Sequence, residues 1–320
     1  DEAHLLNVRA DRMGLTSDDV GGFATWLEQR FPGRFAPTDF VRRQLFGDFL
    51  NERVRTMIAP LGTRLSLVRD SVESIARGAN GLTLRLASGA TMITDAVALA
   101  LGLPVPGIPW SGDHATAVDP WSPNAFEGLD RAAPTIVIGT GLTALDVLVS
   151  LSRREHRGPI TFVSRHGHFP LPHAEPSPVP SPVTVDRGEI IASPRRARRE
   201  VRRAASRALA AGRPWQEAID AVRPHTTAVW QSWDDAARER FLARIRPFWE
   251  IHRHRAPVPV LQLLDAGRRA GRIETLRGTV GSVARDGERW SVAIRTARGE
   301  TLHRTASRVF NCIGPAMRLN

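Results

Sequence analysis

Residues 133–151 read Ala-Pro-Thr-Ile-Val-Ile-Gly-Thr-Gly-Leu-Thr-Ala-Leu-Asp-Val-Leu-Val-Ser-Leu. A β-branched run leads into Gly-x-Gly-x-x-Ala, and an apolar segment with helical spacing follows. In this pattern Gly139 permits a tight turn, Gly141 lets the backbone approach a pyrophosphate, and Ala144 lets a helix pack closely on a strand. The phosphates would lie at the positive N-terminus of the helix. We therefore predict a dinucleotide site at Gly139, Thr140, Gly141, Leu142 and Thr143. The alternative is a turn of the same shape that binds no ligand.

A second predicted strand, residues 159–164, follows the helix at βαβ spacing. The end of this strand is where such domains bind the adenosine ribose. A site for NAD places Asp or Glu there, whereas this chain has Ser164, Arg165 and then His166. Ser164 and Arg165 suit the 2′-phosphate of NADP, so we predict NADP as the cofactor, with NAD as the alternative.

The composition is that of a globular protein with an unusual cation balance. The chain has 320 residues and a formal net charge of +11, and all 44 of its Lys and Arg residues are Arg. An excess of this kind suits an anionic partner such as nucleic acid. The complete absence of Lys favours a compositional bias instead. Nucleic acid is therefore an unfavoured partner.

Cys312 is the only cysteine, which excludes an intramolecular disulfide and a Cys-x-x-Cys redox or zinc motif. We therefore expect a cytoplasmic protein. No apolar run reaches the length of about 20 residues that a membrane span needs, so no membrane partner is expected. The chain starts with Asp rather than Met, and we expect it to be a fragment of a longer protein.

Two parts of the chain have similar sequence patterns. Residues 64–104 and 272–315 each contain a strand, a meander with a Ser-Gly or Arg-Gly turn, and an apolar strand ending in Gly and Pro. Meanders can resemble one another by chance, but the matched order favours a repeated architecture. In the first copy the predicted strands are residues 66–69, 71–77, 82–87 and 96–100.

Apolar residues recur at helical spacing both before and after the dinucleotide motif, which predicts helices there. The predicted helices are residues 22–30, 40–58, 194–211, 214–222, 234–245 and 259–270. The fold class is therefore α/β, with two Rossmann-like dinucleotide-binding domains of which the first is incomplete, β-meanders and a helical insertion. The predicted segments are 1–115 (partial FAD-binding domain with β-meander), 116–185 (NAD(P)-binding Rossmann unit), 186–270 (helical insertion) and 271–320 (second β-meander and closing strand).

Four further segments point to a family. Residues 4–13 read HLLNVRADRM, 40–50 FVRRQLFGDFL, 248–257 FWEIHRHRAP and 309–315 VFNCIGP. In this order around the dinucleotide turn, they resemble a bacterial FAD/NAD(P)-binding protein family that includes flavin-dependent urate hydroxylase-like members. Proteins of this kind have two dinucleotide-binding domains. The chain lacks the family's first Gly-x-Gly-x-x-Gly, the main pyrophosphate cradle for FAD.

The resemblance implies an FAD-dependent, NAD(P)H-linked oxidoreductase, monooxygenase-like, acting on a small molecule of unknown identity. It places residues 4–13 near the flavin, with Asn7 as the best polar candidate. The flavin-binding residues expected from it are Leu6, Asn7, Val8, Met13 and Gly314. No catalytic residue and no oligomeric state can be assigned. The alternatives are a non-catalytic NAD(P)- or FAD-binding sensor and an Arg-rich module that binds anions or nucleic acid.

Other polar clusters are predicted to be structural. His166, His168 and His173 are separated by prolines and have no carboxylate cluster beside them, so no metal site is expected. The arginines of residues 194–211 are predicted to form a solvated helix face. For Arg253 and Arg255, an anion contact and a solvated helix end remain alternatives. Cys312 is predicted to be a buried, inert thiol.

Overall fold

The computed structural model describes residues 3–78, 81–102, 107–112, 117–175 and 181–314. The described residues form two compact units: one is drawn from residues 1–45 and 105–316, the other from residues 46–104. The helices are α1 (Gly22–Arg30), α2 (Arg43–Ile58), α3 (Leu142–Arg153), α4 (Arg187–Ala192), α5 (Pro194–Ala210), α6 (Gln216–Val222), α7 (Thr226–Ser232), α8 (Asp235–Arg244), α9 (Arg246–Arg253) and α10 (Val258–Arg269). The strands are β1 (Val72–Gly78), β2 (Gly81–Leu86), β3 (Thr91–Thr94), β4 (Ser111–Gly112), β5 (Ala117–Val118), β6 (Thr135–Ile138), β7 (Ile160–Ser164), β8 (Ile273–Asp286), β9 (Arg289–Thr296), β10 (Thr301–Ala306) and β11 (Arg308–Asn311).

The first unit is built on a mixed sheet. Its parallel part runs in the order β5-β11-β6-β7-β8. Strand β8 continues beyond the parallel part and pairs antiparallel with β9, which pairs with β10. The register of the β8–β9 pair shifts between Val280 and Ser282, so a bulge lies where β8 passes from the parallel sheet into the meander. The predicted βαβ unit is confirmed, as β6, α3 and β7.

The central strands are buried on both faces. All four residues of β6 are buried. Because side chains alternate along a strand, Val137, Phe162 and Phe310 face one way and pack with apolar residues of α3 and α10. Ile136 and Val309 belong to a second cluster, formed with the meander strands β8 and β9. A continuous apolar strand is what a parallel sheet covered on both faces requires.

The helical stretch follows the prediction closely. Helices α5, α6, α8 and α10 start and end within two residues of the predicted bounds. Three short helices, α4, α7 and α9, were not predicted, because each has at most eight residues and periodicity is weak over such lengths. Asp186 is a capping signal for α4, since its side chain accepts a hydrogen bond from the Glu189 amide.

The second unit contains a three-stranded antiparallel meander, β1-β2-β3. All seven residues of β1 are exposed. Two predicted strands, residues 66–69 and 96–100, are not strands, and Thr91–Thr94 pairs with β2 instead. The equivalent segment of the second copy, β11, is a strand because it lies between β5 and β6. The repeat therefore holds for the meander and differs in its closing strand.

The division of the chain into four segments stays a prediction. None of the described helices is both long enough and apolar enough to cross a bilayer.

Candidate functional site: a dinucleotide loop at the start of α3

The tight turn after β6 depends on Gly139. Its φ of 119° lies in a region that residues with a side chain rarely adopt. A Cβ at this position would lie 2.5 Å from the carbonyl oxygen of Cys312. The Gly139 amide donates to the Val163 carbonyl at 2.8 Å. The glycine is therefore required for the close approach of the loop to the end of β11.

The start of α3 is open. Gly141 is the N-cap residue, and no side chain caps the helix there. A Cβ on Gly141 would meet no heavy atom within 4 Å among the described residues. Ala144 is fully buried against the sheet. The first amides of an α-helix have no intrahelical acceptor, so those of Leu142 and Thr143 are suited to bind phosphate. This arrangement fits a dinucleotide pyrophosphate.

Thr140 and Ser164 form part of an internal network. The Thr140 hydroxyl lies 2.6 Å from the His168 carbonyl and 2.9 Å from Ser164 Oγ. Ser164 Oγ also accepts a hydrogen bond from the Gly167 amide at 3.0 Å. These bonds join the glycine loop to the turn after β7. Both hydroxyls are thus engaged within the chain, and their contact with a nucleotide stays a prediction.

Several basic side chains lie beyond the end of β7. Arg165 is exposed, and Arg277 of β8 pairs across the sheet with Ser164. Burial lowers the pKa of His166, and the charges of Arg165, His168 and Arg277 act in the same direction. A Cβ on Gly167 would lie 2.8 Å from Arg277 Cγ, so this side chain packs over the turn. The place predicted for a 2′-phosphate therefore has two arginines.

Arg277 was missed in the sequence because it lies more than 100 residues beyond the glycine motif. Only the parallel pairing of β7 with β8 brings it beside Arg165. Its place in the first strand of the second repeat copy, residues 272–315, was the only available signal.

The predicted flavin residues lie in a different part of the unit. The Leu6 amide donates to the Val41 carbonyl at 2.8 Å, and Asn7 O accepts a hydrogen bond from His173 Nε2 at 2.9 Å. Val8 is half-buried, and the Met13 carbonyl accepts from the Phe23 amide. None of these contacts involves the glycine loop.

A buried polar network ties the N-terminal segment to α3. His4 Nε2 lies 2.8 Å from Ser150 Oγ, and Arg43 forms a salt bridge with Asp146 at 3.2 Å. Burial raises the pKa of Asp146 and lowers that of His4. The ring of Trp121 lies against both His4 and Arg43. Apart from Trp121, these residues lie in segments that the sequence motifs singled out, but nothing in the sequence paired them, because the partners are more than 100 positions apart.

Gly314 has a φ of 91° and lies two residues after Cys312, whose amide donates to the Ile138 carbonyl. It is thus near the glycine loop in the fold, whereas Pro315, which completes the predicted motif, lies outside the described residues. Cys312 is buried, and burial raises the pKa of its thiol far above the ordinary range. This confirms the prediction of a buried thiol.

The histidine and arginine clusters have structural partners. The rings of His166 and His168 stack, while His173 contacts Phe40. In the described parts of the chain, no three potential metal-ligating His, Cys, Asp or Glu side chains come together. The Arg255 side chain is 6% exposed and forms a salt bridge with Asp220. It is therefore a buried structural residue and not part of a solvated helix end.

Comparison with known proteins gives a family match that lies before the glycine loop in the chain. Residues 1–104 match a family model described as FAD-NAD(P)-binding. No curated protein matches the chain.

Solved structures share the fold at low sequence identity. An ornithine N-hydroxylase from Kutzneria sp. 744, solved with reduced FAD, NADP+ and L-ornithine, is 16% identical with a TM-score of 0.58, covering 98% of this chain and 70% of its own. An L-lysine 6-monooxygenase from Pseudomonas syringae is 16% identical, with a TM-score of 0.56 and coverage of 98% and 69%. A cadaverine monooxygenase from Erwinia amylovora, bound to FAD, is 12% identical, with a TM-score of 0.52 and coverage of 100% and 69%. The chain therefore has the α/β fold of flavoproteins with two dinucleotide-binding domains, as predicted.

Proposed function

We propose that this chain, whose first 104 residues match an FAD-NAD(P)-binding family model, is part of an FAD-dependent, NAD(P)H-linked oxidoreductase with monooxygenase-like chemistry. The observation that carries the proposal is the uncapped start of α3 behind the Gly139 turn, with open space above Gly141. The shared fold with the three monooxygenases supports it.

The nucleotide half of the site would be held by this chain's own groups. The amides at the start of α3 would bind the pyrophosphate, and Arg165 and Arg277 would bind the 2′-phosphate, which makes NADP the favoured cofactor and NAD the alternative. When bound, the nicotinamide supplies hydride and the flavin transfers electrons to an acceptor. Arginine suits this role because its planar fork donates two parallel hydrogen bonds to phosphate.

The FAD half rests on the family match and the fold. The sequence contains a single Gly-x-Gly, which is the one at Gly139. The roles of Leu6, Asn7, Val8, Met13 and Gly314 toward FAD are proposals, and no catalytic step is assigned to them. The substrate class is a small molecule. The three similar enzymes act on ornithine, lysine and cadaverine, which are amines.

The glycine loop is tested by titrating NADPH into the wild-type chain and a Gly141→Val variant in a calorimeter. Gly141 has extended dihedrals and free space around it, so valine should be accepted without loss of stability. Its side chain would occupy the phosphate position, and we expect Kd to rise at least about tenfold. Equal affinities in two equally stable proteins would overturn the proposal.

The 2′-phosphate position is tested with Arg165→Asp and Arg277→Gln. Each should lower the preference for NADPH over NADH about tenfold, because each removes a charge-assisted hydrogen bond. Arg298→Gln, in an exposed turn, is the charge-matched control for Arg277→Gln, and Arg298→Asp is the control for Arg165→Asp. A preference unchanged by both variants would remove the NADP assignment.

Turnover separates the enzyme from the sensor alternative. NADPH oxidation in the presence of added FAD supports an oxidoreductase. Binding of NADPH with no oxidation by any acceptor would indicate a non-catalytic nucleotide-binding protein instead.

A further inference from the structure

The helical segment forms a cavity that the nucleotide site does not use. Its volume is about 510 Å³, and it lies among α4 to α9. This volume is in the range of small-molecule sites, about 300–1,000 Å³. The walls are aliphatic and aromatic, with Val229, Trp230, Trp233, Phe241 and Phe248 among them. Apolar walls of this extent favour an apolar occupant over water.

Two of the aromatic rings remain open to solvent at the cavity. Trp230 is 40% exposed and Phe248 is 52% exposed, although both belong to an aromatic lining. Large aromatic side chains gain most from burial, so an apolar molecule seated here would cover surface that the described residues leave uncovered.

The charges at the cavity have one sign. Arg198, Arg202 and Arg244 line it, and no Asp or Glu does so within the described part of the chain. Other arginines of α5 have acidic partners: Arg196 and Arg199 pair with Glu189, and Arg207 pairs with Glu200. Within the described part of the chain, neither Arg198 nor Arg202 has such an acidic partner, so both are available to an anion at the cavity.

We propose that this cavity binds an amphiphilic carboxylate, meaning an alkyl or aryl body with one terminal carboxylate. The body would fill the aromatic interior, and the carboxylate would lie among Arg198, Arg202 and Arg244. Arginine forks match the two oxygens of a carboxylate. This site is independent of the proposed function, because its lining includes none of Gly139, Gly141, Arg165 or Arg277.

The probes are hexanoate, octanoate and decanoate, titrated into the whole chain by calorimetry, with 1-decanol as the uncharged control. Each buried methylene should lower Kd about fourfold, and decanoate should bind more tightly than decanol. Affinities that do not change with chain length would overturn the proposal, since an exposed basic surface would bind all three acids alike.

The arginines are tested with the double variant Arg198→Gln/Arg202→Gln. We expect decanoate affinity to fall about fivefold, because the head group loses two partly solvated ion pairs. The matched control is Arg195→Gln/Arg203→Gln, which removes the same charge from exposed positions of α5 outside the cavity. Equal losses of decanoate affinity in the two variants would show that only the net charge matters. That result would overturn the proposed site.

A protein occupant is the competing explanation for the open aromatic surface. Sedimentation of the chain with and without decanoate distinguishes it. A monomer at all concentrations supports a small-molecule site. A dimer that decanoate does not dissociate, together with no heat of binding, would identify the cavity as an interface between copies and contradict the proposal.

Discussion

Gly139 and Gly141 belong to one motif but are glycine for different physical reasons. Gly139 has a positive φ, and a Cβ at this position would clash with the Cys312 carbonyl. Gly141 has ordinary extended dihedrals and free space around it. The first glycine is therefore a requirement of folding, and the second is a requirement of the proposed ligand.

The difference predicts the effect of alanine at each position on stability. Gly139→Ala should lower the free energy of unfolding by about 3 kcal/mol, because it combines backbone strain with a steric clash. Gly141→Ala should change it by less than about 0.5 kcal/mol. Urea unfolding of both variants beside the wild type checks this, and similar values for the two would contradict the assignment of roles.

His173 predicts how stability responds to acid. Burial lowers its pKa to about 4, and Arg255 and Arg9 act in the same direction, while Asp220 and the hydrogen bond to Asn7 O partly oppose them. Between its ordinary pKa and about 4, the unfolded chain binds a proton that the folded chain does not. Stability contributed by the neutral ring is therefore present above the ordinary pKa and is lost as pH falls toward about 4.

Replacing this ring should reduce the acid sensitivity. His173→Gln retains a donor for Asn7 O and should reduce the loss of unfolding free energy between about pH 7 and about pH 4 by up to about 3 kcal/mol. Part of the slope should remain, because the pKa values of His4, His156, His166 and His254 are also lowered. Urea unfolding across this range measures the slope. A steeper slope in the variant would contradict the sign.

Helix α5 shows how the arginine excess is accommodated. Three of its arginines pair with Glu189 or Glu200, and Glu200 is itself buried. The helix therefore packs through one face, with its small residues Ala204 and Ala208 fully buried. This agrees with a structural helix whose remaining arginines are exposed, including the two of them at the proposed cavity.

The N-terminus of α8 is capped by an aspartate side chain, whose contribution to stability can be measured. The Asp234 side chain accepts a hydrogen bond from the Ala237 amide at 2.7 Å. Asp234→Ala should cost about 1 kcal/mol of unfolding free energy, as the loss of an N-cap does elsewhere. Asp235→Ala is the control, since that side chain is 91% exposed. Thermal denaturation should show a lower midpoint for Asp234→Ala alone, and equal shifts would argue against the cap.

The two units differ in how well their strands are covered. Strands β6 and β11 of the first unit are almost completely buried, whereas β1 of the second is exposed throughout. Regions with few buried apolar contacts open at lower free energy. The opening of each unit can therefore be followed separately, through the protection of its own amides against hydrogen exchange.

Hydrogen exchange with mass spectrometry should show this difference. We expect peptides from Thr135–Ile138 and Arg308–Asn311 to be protected far longer than those from Val72–Gly78. No separate control is needed, because the strands in both units are hydrogen-bonded to neighbouring strands. Equal protection would mean that the exposed meander is covered in solution.

Local sequence pattern predicted those features that depend on neighbouring residues. The βαβ unit, the position of Gly139 and most of the longer helices follow from turn chemistry and apolar periodicity within about 20 residues. Residues 66–69 and 96–100 were predicted as strands and are not, because a strand also needs a hydrogen-bonding neighbour that periodicity does not specify.

The sequence by itself determined that this chain has a Gly-x-Gly turn between two meanders, since glycine geometry and strand alternation are local properties. Only the tertiary structure decided which distant residues meet. The pairing of β7 with β8 places Arg277 beside the loop, the packing of the N-terminal segment on α3 brings His4 to Ser150, and the assembly of α4 to α9 creates the apolar cavity. Such contacts depend on how buried surfaces fit together in three dimensions, which a linear pattern does not encode.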